Sequence, residues 1–347
     1  MSLKISVIIP FFYSDGRNID ENKYFSLLSF DKCLSAVFQQ KYKNYEVIAV
    51  SDNSNQTSID IAKKYPCKII KLKKKFGAGY ARNRGSNLAK GQILVFLDSD
   101  VEIKKDALSI INKNFSSKNS EGSLQGIYSH SPNYKDSSTQ YLQSYYCYYT
   151  FSVTRKNKFT QQVCTSIFAI TKKLFKENGS FFFKINEASS EDTEFGFNLV
   201  KKGHKIPIGR KLSVIHHNSL GILSFVKKII RIHKSEMKMY LRNRTMMMGR
   251  IKQSNYLSVI LGIFLISSMI SLGTINIFYK IPYTKELFIL LNIMFILINT
   301  RFIKFLFFSK GFLTAFRSIF YIYFHKFLLV LCIFAGIIEY YIFGNRY

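Results

Sequence analysis

The chain has 347 residues; 16 % are aromatic yet none is Trp, and the formal net charge is +29. Lysines and arginines outnumber acids by eight to two after Asn255 and by 42 to 19 before it, a surplus that favours a polyanion, an anionic membrane face or a phosphorylated small molecule. The five cysteines form no CxxC pair, which argues against a cysteine-built zinc site and fits a reducing compartment.

The N-terminal stretch MSLKISVIIPFFYSD has too short an apolar run for a secretory signal, and no small-residue cleavage site follows. ISVIIP reads as a strand closed by Pro10, and DKCLSAVFQQ as a helix. YEVIAVSDNS is a second strand ending in a polar turn at Asp52, SIDIAKKY a helix, CKIIKL a third strand and QILVFLDSD a fourth. Strands alternating with helices at this spacing predict an α/β domain on a parallel sheet.

Ahead of the fourth strand lies the polar cluster FGAGYARNRGSNLAKG. Gly77 and Gly79 allow close backbone approach there, and Arg82 has the planar fork that meets a phosphate bidentately. In the fourth strand, Ile93 to Leu97 is a continuous apolar run with no solvent face. It runs straight into Asp98 and Asp100. Two like charges separated by one serine repel, and one should hold a proton unless a divalent metal, or a ligand carrying one, is present. The carboxyl ends of parallel strands form the ligand-binding edge, and Asp52, Asp98 and Asp100 all stand at such ends. Acids for a metal, a base for phosphate and an acid for a hydrogen-bonding head group suit a nucleotide diphosphate with Mg²⁺ or Mn²⁺.

Residues 111 to 220 are less regular and hold the Tyr-rich run YLQSYYCYYTF and the acidic cluster SSEDTEF. Ser189 and Asp192 have capping-box spacing ahead of Phe195 and Leu199, which places Asp192 in a first helical turn where the dipole favours an ionised carboxylate. SFVKKIIRIHKSEMKMYLRNR then begins a basic amphipathic helix of the kind that lies on an anionic membrane surface or faces solvent. YLSVILGIFLISSMISLGTINIFY, residues 256–279, is uncharged and long enough for a bilayer. Weaker spans are expected at 286–300 and 327–344, with an aromatic, basic interfacial segment at 301–326. The positive-inside rule puts residues before 256 and the segment 301–326 in the cytoplasm, and the loop KIPYTKE outside. The expected divisions are 1–222, 223–255 and 256–347.

The series SVIIPFF, YEVIAVSDNS, GAGYARNRGSNLAKGQILVFLDSD and EDTEFGFNLVKKGHKI resembles the family 2 glycosyltransferases of GT-A fold, over roughly residues 4 to 220. The resemblance implies a Rossmann-like, mostly parallel sheet with helices on both faces, followed here by a transmembrane region. It implies a nucleotide-sugar donor, Mg²⁺ or Mn²⁺, and no nucleic acid; the basic helix and the spans, which would hold the site at a bilayer, point to a lipid-linked acceptor, with a glycan as the other class. By position, Pro10, Asp52, Gly77, Arg82 and Asp98 correspond to the donor site, with Asp52 on the nucleotide base and Asp98 reaching the ribose. Asp100, with Asp98 and His216, corresponds to the metal site. Asp192, next to Glu191, corresponds to the general base of an inverting transfer. His217 shares with His216 the alternative of being simply packed or solvent-facing. Phe11 replaces the small hydroxyl residue that often follows the strand-1 proline, Ser14 to Lys23 lengthens the first loop, and the QxxRW motif of processive synthases is absent, which favours transfer of single sugars.

Two other classes compete. VFLDSDVEI mimics the nucleophile strand of a haloacid dehalogenase phosphatase, although three strands precede it here; release of phosphate from simple esters would favour that class. A non-enzymatic protein binding anionic lipid or nucleic acid would suit the charge, but leaves Asp98, Asp100, Glu191 and Asp192 without a role.

Overall fold

The computed structural model describes residues 2–14, 21–129, 137–146, 158–183, 190–217, 221–243, 257–280 and 282–344. Ser189 of the expected capping box and most of the first-loop insertion lie outside them. Two compact units are present: residues 1–132 with 154–219, and residues 133–153 with 220–347. The segment 133–153, expected in the first domain, thus groups with the second unit.

The first unit is built on a sheet of nine strands among the described residues. These are β1 (Ile5–Phe11), β2 (Tyr45–Ser51), β3 (Lys68–Lys71), β4 (Ile93–Leu97), β5 (Val101–Ile103), β6 (Ser123–Tyr128), β7 (Phe159–Thr160), β8 (Ile167–Thr171) and β9 (Ile206–His216). The order is β3-β2-β1-β4-β8-β6-β9-β5, with β7 also on β9. The first four strands are mutually parallel, as their spacing predicts. Beyond β4 the sheet is mixed: β8 is antiparallel to both β4 and β6, while β6 and β9 are parallel.

Both faces of the sheet are covered. Ile5, Val7 and Ile9 of β1 join a cluster with Phe30, Leu34 and Ile111 of helices α1 (Glu21–Phe38) and α4 (Ala107–Phe115). Ile8 joins the opposite cluster, with Ala81 of α3 (Ala78–Leu88), Phe175 of α6 (Lys172–Asn178) and Leu199 of α7 (Glu191–Lys201). The period-2 alternation of strand side chains assigns neighbours to opposite layers, so a strand between two layers of helices is apolar throughout. Helix α2 (Gln56–Lys63) completes the first layer. The polar cluster before β4 is the helix α3, whose glycines serve packing: a Cβ on Gly85 would stand 2.5 Å from Ile8 Cγ2. A side chain there would overpack the core, at a typical cost of about 1–3 kcal/mol.

The second unit comprises α5 (Ser137–Tyr146), α8 (Ile222–Arg242), α9 (Leu257–Tyr279), α10 (Thr284–Lys310) and α11 (Phe312–Tyr341). Three of these helices, α9, α10 and α11, are long and apolar enough to cross a membrane. They present Phe264, Ile277, Phe308 and Phe334 outward, as a lipid-facing surface does. The second and third apolar helices are longer than expected: residues 301–326 lie within α10 and α11, which are separated only at Gly311, with φ 87°. The basic helix α8 keeps Lys227 and Arg231 exposed. Its other face is not free for a membrane surface. His233 bonds His325 of α11 at 2.9 Å, Lys238 pairs with Glu339 at 3.4 Å, and Lys234 also pairs with Glu339.

Candidate active site

Three parallel strands, β2, β1 and β4, lie side by side and end at one edge. Asp52 follows β2, Tyr13 follows β1, and Asp98, Ser99 and Asp100 follow β4. Pro10 is buried within β1, paired with Val50. Phe11 turns into the core and stacks on Phe30 at 4.7 Å, so its side chain is unavailable to a ligand.

Asp52 is 3 % exposed. Its two carboxylate oxygens accept the backbone N–H groups of Phe76 at 2.7 Å and Gly77 at 2.8 Å. Gly77, with φ 96°, caps α3 in a conformation that favours glycine. Asp52 therefore ties the end of β2 to the start of α3, leaving one lone pair on each oxygen for a further partner.

Arg82 lies on α3 and is 4 % exposed. In place of a guanidinium open to phosphate, Nη2 donates to Asp98 Oδ1 at 2.7 Å and Nη1 to Glu191 Oε1 at 2.8 Å. The reason is convergence: the end of β4 and the first turn of α7 both deliver a carboxylate to this one cation. One residue on, Asn83 binds a backbone amide pair, donating Nδ2 to Phe181 O at 2.8 Å and accepting Phe181 N at 3.0 Å. Gly79 gives α3 its close approach to this wall, since a Cβ there would lie 2.8 Å from Phe182 O and 3.2 Å from Glu191 Cγ.

Glu191 and Asp192 open α7. Asp192 Oδ1 accepts Thr193 N at 2.7 Å, and Oδ2 accepts two longer bonds, from Thr165 N at 3.3 Å and Thr165 Oγ1 at 3.4 Å. Burial pushes both acids above the ordinary carboxylate range. Arg82 opposes this in each case, while Asp192 adds to the rise in Glu191 and Asp98 to that in Asp192. The rise owed to burial and to Asp98 runs against the helix dipole, which favours the ionised form.

Asp98 and Asp100 have side chains 31 % and 37 % exposed, so this part of the site is open. The β5–β9 pairing sets Val101 opposite His216, and His216 Nε2 then meets Asp100 Oδ2 at 3.0 Å. His216 also stacks on Tyr128, with centroids 5.5 Å apart. His217 turns to Glu102 at 2.8 Å. Tyr13 donates its hydroxyl to Ser99 Oγ at 3.2 Å, between the two aspartates. Tyr13, Thr165 and Tyr128 had no signal in sequence, since each contact spans tens of residues.

The Asp100–His216 pair is the arrangement relevant to a divalent cation. Among the described residues no group of three or more His, Cys, Asp or Glu side chains could hold a metal. A hard carboxylate, 37 % exposed, beside a largely buried imidazole still fits Mg²⁺ or Mn²⁺. Mg²⁺ in particular commonly takes one or two protein carboxylates and completes its shell with substrate phosphate and water.

A Rossmann-like sheet, two aspartates at a central strand end and an acid pair at a facing helix start define the class of GT-A nucleotide-sugar enzymes. The model of the glycosyl transferase family 2 matches residues 6–179, and the chain belongs to that family. Glycosyltransferase GlyG of Streptococcus pneumoniae is 26 % identical over 207 residues, 58 % of either chain. The poly(ribitol-phosphate) beta-glucosyltransferase of Bacillus spizizenii is 33 % identical over 137 residues, 36 % of this chain and 20 % of that one. The chain thus matches little more than half, or less, of these relatives' lengths. Among solved structures, the mannosyltransferase PcManGT of Pyrobaculum calidifontis, in complex with GDP-Man and Mn²⁺, superposes with a TM-score of 0.61 at 13 % identity, covering 92 % of this chain and 87 % of the other. That likeness establishes the fold.

Proposed function

We propose that this glycosyltransferase moves a sugar, with inversion, from a nucleotide-diphosphate sugar to a lipid-linked or glycan acceptor. We place its catalytic unit on the cytoplasmic side of a membrane crossed by the apolar helices, and make the reaction dependent on Mg²⁺ or Mn²⁺. The observation that carries this reading is the Arg82 bridge, which gathers Asp98, Glu191 and neighbouring Asp192 into one pocket at the carboxyl edge of the parallel strands. Pro10, Asp52 and Gly77 are assigned to the nucleotide, with Asp52 meeting the base through its remaining lone pairs, and Asp98 to the ribose. Arg82 holds the donor-side and acceptor-side acids in register.

Asp100, with Asp98 and His216, is assigned to the cation, which when bound offsets the charge of the departing diphosphate. Asp192 is assigned as general base. Its Oδ2 carries only the two long bonds from Thr165, whereas a Glu191 oxygen is committed to Arg82. Asp192 takes the proton of the acceptor hydroxyl as that oxygen attacks the anomeric carbon and the bond from that carbon to the diphosphate breaks. The lipid-linked acceptor is supported by the three apolar helices and by the exposed Lys227 and Arg231.

A screen of nucleotide sugars for hydrolysis and transfer, with and without Mg²⁺ or Mn²⁺, tests this reading; turnover of none would overturn it. Asp100→Ala should remove the divalent-dependent turnover, by on the order of 100-fold or more, since loss even of outer-shell metal partners costs about 10- to 100-fold. The residue lies in a solvent-facing turn after β4, so the melting temperature should stay close to wild type. Turnover at the wild-type rate would remove Asp100 from the metal site.

Orientation has its own test. Tyr283 is 78 % exposed between α9 and α10. Tyr283→Cys in intact cells should react with a membrane-impermeant maleimide from the outer side. Labelling only after the membrane is opened would reverse the topology.

A further inference from the structure

Tyr13 joins the two halves of the site, and no role described above uses it. We infer that Tyr13 is a positioning residue for the divalent cation: its backbone belongs to the turn assigned to the nucleotide, and its hydroxyl fixes the Asp98–Ser99–Asp100 turn. The inference rests on the cation assignment above and adds to it a residue outside the set of acids and histidines.

The first observation is the course of the backbone. β1 lies between β2 and β4 in the sheet. Past Phe11 the chain is bonded to the β2 side. Tyr13 N donates to Ser54 Oγ at 3.1 Å, and Tyr13 O accepts Asn55 N at 2.6 Å. Asn55 caps α2 by accepting Ser58 N at 3.0 Å, and Asp52 N donates to Phe11 O at 2.9 Å. Tyr13 is thereby tied to the turn that carries Asp52.

The second is the direction of the side chain. It crosses back to the β4 side and donates its hydroxyl to Ser99 Oγ at 3.2 Å. In the β1–β4 pairing Ile8 stands opposite Phe96. Continued at that register, Ser99 falls level with Phe11 and not with Tyr13. Neighbouring strands are about 4.8 Å apart, so a backbone held on the β2 side needs the length of a tyrosine to reach Ser99; serine or asparagine would fall short. The ring is fixed on the way, 5.6 Å from Phe30 and 6.5 Å from Phe11 between centroids. Core packing therefore sets where the hydroxyl stands.

The third is the way the rest of the turn is held. Asp98 O accepts Cys33 Sγ at 3.4 Å, and Asp100 O accepts His217 N at 2.8 Å. The carboxylates themselves go to Arg82 and His216. Each aspartate is anchored by backbone and side chain, and Tyr13 anchors the serine between them. A divalent ion binds best where its ligands are already spaced, Mg²⁺ most strictly, and groups beyond the ligands commonly supply that order.

Tyr13→Phe removes the hydroxyl and keeps the ring on Phe30; Ser99→Ala removes the acceptor in the turn after β4. Full-length wild type, both variants and the double variant are assayed in detergent for binding of UDP, GDP, dTDP and ADP, in EDTA and across a MnCl₂ series. For a nucleotide that wild type binds, each single variant should keep its EDTA affinity within about twofold and need roughly 3- to 10-fold more Mn²⁺ for half-maximal strengthening, the value of one hydrogen bond. The double variant should need no more Mn²⁺ than either single one, since both remove the same bond. A matching loss of affinity in EDTA, or penalties that multiply in the double variant, would overturn the inference. A Mn²⁺ midpoint unchanged in Tyr13→Phe, with wild type responsive to Mn²⁺, would remove Tyr13 and leave the cation assignment standing. Wild type that binds a nucleotide and ignores Mn²⁺ would overturn the cation assignment and the role of Tyr13 with it. Wild type that binds none of the four would overturn the transferase reading itself.

Discussion

Asp192→Asn should bind the donor and fail to transfer the sugar. The side chain keeps its size and its place in the first turn of α7 but can no longer accept a proton. General base catalysis is typically worth about 10²- to 10⁴-fold, so kcat should fall by that order while donor KM changes little. The pH profile gives an independent reading. Burial raises the pKa of Asp192, with Asp98 adding to the rise and Arg82 opposing it. As a base it must be ionised, so wild-type kcat/KM should climb with pH through an apparent pKa above the ordinary carboxylate range. The stability term has the opposite sign. An acid whose folded pKa is raised holds more protons in the native than in the unfolded state, so stability falls as pH rises through that window. In Asp192→Asn the acid limb of the rate profile should flatten and that share of the stability slope should vanish together. A variant that mainly weakens donor binding, with kcat near wild type, would remove Asp192 from the base role and pass it to Glu191.

The parts legible in the sequence were those written in neighbouring residues. β1 to β4 followed from apolar runs, and the edge position of Asp98 and Asp100 followed from the run that precedes them. Long-range pairings were not legible. Arg82 and Glu191 are 109 residues apart, and no local pattern distinguishes a guanidinium that meets phosphate from one that meets two carboxylates. Asp52 illustrates the same limit: a turn-forming acid and a ligand-binding acid look alike until Phe76 and Gly77 are found on its oxygens. Gly85 of α3 shows the same limit: it is small because Ile8 lies against it, a tertiary fact that no pattern along the chain records. In the second unit, part of the charge of α8 is internal, and nothing local marks it: Glu339, which takes Lys234 and Lys238, comes a hundred residues later.

Replacing Arg82 should damage the site more widely than replacing either acid it holds. Its guanidinium is the cation between Asp98 and Glu191, with Asp192 also near enough to act on it. Arg82→Met removes that charge while keeping an unbranched apolar stem in the α3 layer. Breaking a buried pair by deleting one partner commonly costs about 3–5 kcal/mol, because the other charge is left without compensation. Here the acids can relieve part of the cost by taking up protons, and Asp98 is partly in solvent, so about 3 kcal/mol is expected near neutral pH. The deficit should shrink on acidification, since a protonated carboxyl needs no counter-ion; a merely steric loss would not respond to pH. Arg82→Lys should recover the charge but not the function, because a single ammonium cannot reproduce the fork that reaches two carboxylates at 2.7 and 2.8 Å. Adding Glu191→Gln to Arg82→Met should restore part of the stability, and the coupling measured in that double-mutant cycle reports the Arg82–Glu191 interaction directly. Denaturation of wild type, Arg82→Met, Arg82→Lys, Glu191→Gln and the double variant at two pH values, with nucleotide-sugar turnover alongside, is the measurement. Wild-type stability and turnover in Arg82→Met would mean that the bridge does not organise the site, and the assignment of the pocket would have to be rebuilt around Asp98 and Asp100 alone.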